Sequence, residues 1–114
     1  MQHQDVFYTT YQTTKNQDVL LSEVVGSAQM GTSSLMLNGV NLGTGTFDNF
    51  KLGSSLAGQR LSMKTIVSNI NSAANKLVVT HELIGGQIPL VEVRHLAIAG
   101  DSDAVVFFLH VDFH

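Results

Sequence analysis

The sequence predicts an all-β fold: a single antiparallel β-sandwich of about seven to eight strands spanning residues 1–114, with a flattened barrel as the alternative closure. Three observations predict it. Apolar and polar residues alternate with period two along most of the chain, turn-forming residues interrupt this alternation at fairly even spacing, and no segment sustains the 3.6-residue period of a long helix. A chain of 114 residues is long enough to bury one hydrophobic core.

Candidate strands fall at 5–14, 19–25, 33–37, 40–47, 60–70, 76–84, 88–99 and 104–113. The first, DVFYTTYQTT, is rich in the β-branched and aromatic residues that fit a pleated surface. Lys15-Asn16-Gln17-Asp18 joins it to VLLSEVV and reads as a hairpin turn. Asn38-Gly39 stands between SLML and VNLG, and both residues tolerate the positive φ angles of a type I′ turn. Segment 26–58 holds most of the ten Gly, with Gly43 and Gly45 as candidate bulges. Leu35, Leu37, Leu42, Phe47, Phe50 and Leu52 interrupt it too often for a linker.

Two further hairpins are expected. NSAAN at 71–75 joins RLSMKTIVSNI to KLVVTHELI, and a five-residue loop places Ile70 opposite Lys76. Leu61, Met63, Val67, Leu77, Val79 and Leu83 then share one face, while Lys64 meets Glu82 on the other. GDSD at 100–103 joins the last two strands, with Ala99 opposite Ala104. One face of this pair carries Leu90, Glu92, Arg94, Leu96, Ile98, Val105, Phe107, Leu109, Val111 and Phe113. The other carries Val91, Val93, His95, Ala97, Ala99, Val106, Phe108, His110 and Asp112. Both faces are apolar near Phe107 and Phe108, so both need a cover.

That need shapes the functional expectation. The sequence is 44% hydrophobic and 13% charged, about half the ~25% usual for soluble domains, which leaves little charge to hold surfaces apart. The expected role is a non-catalytic binding or assembly module that associates with itself or another protein through its C-terminal hairpin, with Val106, Phe108, Val93 and Ala97 as the interface. The formal charge is −3 and Lys15, Lys51, Arg60, Lys64, Lys76 and Arg94 are scattered, which argues against a nucleic-acid partner. No apolar run approaches the ~18 residues of a membrane-spanning helix.

Two alternatives carry chemistry. His110, Asp112 and His114 alternate along one strand face, and His95 sits diagonally from His110 in the expected hairpin. Imidazole and carboxylate are ligands for divalent transition metals, so a metal-dependent enzyme is the rival reading; without that site no cofactor is expected. A solvated strand end explains the same residues. The other alternative is a secreted ligand-binding module, which would require an export signal, since MQHQDVFYTT has neither a basic nor an apolar leader region. The absence of Cys rules out disulfides and thiolate metal sites and leaves the compartment open.

Other motifs are weaker. GSSLAGQR at 53–60 has the glycine spacing of a phosphate loop, but Gln59-Arg60 replaces the required Lys-Ser/Thr and a strand pattern follows. Asp101 and Asp103 read as a polar turn, not as the 6–8 oxygens of a calcium site. Tyr8 and Tyr11, three apart in a strand, point to opposite faces and form no stacking platform for a sugar. His81 lies on an apolar face beside Thr65, either as a general base or as a hydrogen-bonded core residue.

Overall fold

The structure is a computed structural model that describes residues 2–26, 30–68, 76–97 and 104–114. They form nine strands: β1 (Gln2–Tyr11), β2 (Val19–Val25), β3 (Met30–Leu37), β4 (Val40–Gly45), β5 (Phe50–Gly53), β6 (Arg60–Ser68), β7 (Lys76–Ile84), β8 (Leu90–Ala97) and β9 (Ala104–Phe113). A five-stranded sheet runs β1-β9-β6-β3-β4, and a four-stranded sheet runs β5-β2-β7-β8. The two pack face to face as a sandwich, not a closed barrel. The short strand β5 is additional to the eight expected. All pairs are antiparallel except β1–β9, which is parallel with Val6 opposite Phe108 and Tyr8 opposite His110.

Of the expected hairpins, the Asn38-Gly39 turn forms. Asn38 and Gly39 have φ of 52° and 84°, and β3 pairs with β4 around them. The ladder shifts between Leu35 and Met36, leaving Leu42 unpaired beside Gly43, whereas Gly45, the other expected bulge, pairs in register with Ser33. The other three pairings are not made. β1 and β2 lie in different sheets, and so do β6 and β7, and β8 and β9. NSAAN and GDSD themselves lie outside the described residues. Lys64 and Glu82 therefore do not meet. β7 instead pairs with β8 across Gly85–Pro89, a hairpin not anticipated. Gly85 enables it with φ 101°, and a Cβ there would overlap the Asp18 carbonyl oxygen.

The in/out phase of β6, β7 and β9 nevertheless agrees with the alternation. Leu61, Met63, Val67, Leu77, Val79, Leu83, Val105, Phe107, Leu109, Val111 and Phe113 all face the interior and are buried. Consecutive strands that cross from one sheet to the other each turn an apolar face inward, just as hairpin partners would. Tyr11 adds a polar tie between the sheets: its hydroxyl donates to Leu83 O at 3.2 Å and accepts from Gly86 N at 2.9 Å. The C-terminal residue is likewise held, with His114 N donating to Tyr11 O and Thr13 N donating to His114 O.

Candidate functional site

Inside the sandwich one transverse layer is polar. Val19, Leu21, Glu23 and Val25 share the inward phase of β2, as Leu77, Val79, His81 and Leu83 do on β7. The registers align Glu23 with His81 and His81 with Glu92, so a carboxylate–imidazole–carboxylate row crosses three strands. On the facing sheet, Ser33, Thr65 and Phe107 form the matching row. The side chains of His81 and Glu23 are 3% and 5% exposed. His81 Nε2 lies 2.6 Å from Glu23 Oε2, Thr65 Oγ1 donates to that same oxygen at 2.5 Å, and Ser33 Oγ donates to Glu23 Oε1. The two hydroxyls are 2.8 Å apart. This layer separates two apolar clusters, one around Leu21, Leu35, Met63 and Leu109, the other around Val67, Val79, Val105 and Phe107.

Burial opposes ionisation of Glu23. The His81 hydrogen bond and charge, with the Ser33 and Thr65 hydroxyls, outweigh it and hold the carboxyl below its ordinary range. Arg94 extends the layer toward the β1 edge. Its guanidinium donates to Phe108 O at 2.9 Å and Asp5 O at 3.3 Å, stands 5.0 Å over the Phe107 ring, and lies 3.6 Å from the Asp5 carboxylate. Burial lowers its basicity, and the charges of Asp5, Glu23 and Glu92 push the other way.

This geometry is not that of a nucleophilic triad. There, imidazole takes the proton of the hydroxyl and the carboxylate orients the imidazole. Here the carboxylate is central, both hydroxyls donate to it, and the group is closed to solvent. His81 is a buried core residue whose Nε2 partner is Glu23, a residue that sequence reasoning did not single out. The signal was present: Glu23 holds the inward phase of VLLSEVV, as His81 does in KLVVTHELI. Ser33 and Arg94 carried the same signal.

The expected interface residues do not share a surface. Val106 and Phe108 project from the outer face of the five-stranded sheet, and Val93 from the outer face of the four-stranded sheet. The side chain of Ala97 lies outside the described residues. Val106, between Gln4 and Ile66, is buried within the chain itself, and Phe108 is half-buried. Around them Val6, Tyr8, Met36 and Ile66 are exposed. Tyr8 stacks on His110 at 4.7 Å between centroids, with the Phe108 ring parallel to His110 at 6.5 Å. A groove beside them is lined by Ser34, Met36, Ser62, Lys64, Phe108 and His110.

The expected metal ligands are likewise divided. The strands bearing His95 and His110 belong to different sheets, so the diagonal placement does not arise, and the side chain of His95 lies outside the described residues. His110 Nδ1 is 3.0 Å from Ser62 Oγ. Asp112 is held by Arg60 through two bonds of 2.7 and 2.9 Å, which keep its carboxyl below the usual range. His114 is exposed at the end of β9. Among the described residues no group of three or more His, Asp or Glu is placed to hold a metal ion, and no helix is long and apolar enough to cross a membrane. Segment 53–60 has left-handed backbone at Gly53, Ser55 and Gly58 and leads straight into β6.

No family model matches the chain, no curated protein matches its sequence, and no solved structure matches it.

Proposed function

We propose that the protein is a non-catalytic assembly module that pairs with a second copy of itself through the outer face of its five-stranded sheet. One observation carries this reading: the cluster of Val6, Tyr8, Met36 and Ile66 exposed around half-buried Phe108. Apolar patches of this kind mark protein contacts, and aromatic and Met side chains are the usual anchors at their centres. Among the described residues the opposite outer face exposes Val24, Val91 and Val93 and no aromatic side chain.

The area of the face favours a second copy as the occupant. Arg60 and Asp112 neutralise each other at one end of the face, leaving Lys64 to point outward near its middle. Five strands ~4.8 Å apart and ~8 residues long span roughly 600 Å² per copy, or ~1,200 Å² for a pair, the lower bound of specific interfaces. That size predicts a reversible dimer. Sedimentation equilibrium at high micromolar concentration should show self-association, and Tyr8→Asp with Ile66→Asp should abolish it while leaving the β-rich circular dichroism intact. A strictly monomeric wild-type protein refutes the reading.

A further inference from the structure

We propose that ordered water is bound inside the sandwich between His81, Glu92 and Arg94, joining the buried polar layer into a relay from Glu23 to Asp5 at the β1–β8 edge. Four atoms that are closed to solvent have no hydrogen-bond partner among the described residues: His81 Nδ1, Glu92 Oε2, and Nε and Nη2 of Arg94. Leaving such groups bare is destabilising, the more so when they are charged. Native interiors satisfy them with protein or with water.

The backbone makes the unpartnered groups neighbours, while Nε2 of His81 is already engaged by Glu23 on the other side. His81 and Glu92 are cross-strand partners on the inner face, so their Cβ atoms stand ~4.5–5.5 Å apart and their side chains run side by side. Glu92 and Arg94 are two residues apart on one strand, ~6.5–7 Å, and the head of Arg94 is drawn away to the carbonyls of Asp5 and Phe108. One water spans ~5.5 Å between two partners at ordinary hydrogen-bond lengths.

The chemistry of the surrounding groups selects the ligand. Glu23 and Glu92 disfavour an anion, and Arg94 disfavours a cation. Water accepts from Arg94, donates to Glu92 Oε2, and meets His81 Nδ1 in either role. Buried water typically makes 2–4 hydrogen bonds, and four unpartnered atoms meet that requirement.

The test uses the full chain. Water–protein cross-relaxation should give a direct signal from long-lived water at the Arg94 Nε proton. Deuterium relaxation dispersion should count at least one fewer long-lived water in Glu92→Met than in wild type. A signal from protein protons alone at Arg94, or the same count in both proteins, overturns the proposal. Should Glu92→Met fail to fold, Glu92→Gln keeps an acceptor in place and must retain the Arg94 water signal; losing that signal in a folded Gln variant overturns the proposal equally.

Discussion

Nε2 of His81 lies 2.6 Å from Oε2 of Glu23, and this contact ties β2 to β7 in a part of the core closed to bulk solvent. It is the centre of a cluster in which Glu23 accepts from His81, Ser33 and Thr65 together. Removing one member therefore exposes the desolvation cost of the rest, whereas removing all of them leaves an apolar core of similar volume.

Glu23→Ala should destabilise the protein by about 3–5 kcal/mol, because His81, Ser33 and Thr65 all lose their shared acceptor. The combined variant Glu23→Leu, His81→Leu, Ser33→Ala, Thr65→Val should recover most of that loss. Urea unfolding monitored by circular dichroism measures both. A quadruple variant less stable than Glu23→Ala would contradict the account of the layer.

The same carboxylate predicts an acid limb. Its folded-state pKa lies below the ordinary 4.5, so the unfolded chain takes up the proton first as pH falls. The stability it contributes is full above about pH 4.5 and is lost as pH falls through the depressed folded value. Between pH 7 and pH 3 the urea midpoint should fall more steeply in wild type than in Glu23→Gln. Asp112 is also depressed by Arg60, but it is common to both proteins and drops out of the comparison.

Arg94 should prove a clamp on the β1 edge. Arg94→Met keeps a long apolar stem but loses both carbonyl contacts and the stack over Phe107. Hydrogen exchange should then accelerate chiefly in β1, around Val6–Thr9, and global stability should fall by about 2–4 kcal/mol. Arg94→Lys should rescue little, because a point charge cannot reproduce the planar fork lying over a ring. Uniform acceleration across all strands would reject the clamp.

Particular residues show what sequence reading reached. Leu61, Met63, Val67, Leu77 and Val79 were placed on the buried side, and they are buried. Glu23 and Glu92 hold the same inward phase, but the alternation alone does not mark them as a site. A lone charge on an apolar face gains meaning only when its partner is known, and that partner stands on another strand. Val106 and Phe108 were legible as outward-facing. The self-burial of Val106 between Gln4 and Ile66 was not legible, since β1 and β6 are far from β9 along the chain.

What the chain by itself determined is the phase of strands such as β6, β7 and β9: alternation at period two separates core from surface whichever strand comes to lie alongside. What only the tertiary structure decided is the partnering. β6–β7 and β8–β9 cross between the sheets, β1 joins β9 in parallel, and these choices bring Glu23, His81, Glu92 and Arg94 into one layer. The reason is physical. Two consecutive strands bury the same apolar face whether they lie side by side or across the core from each other, so local pattern carries no preference between the two. The selection falls to long-range backbone pairing and to the buried charges that must find one another.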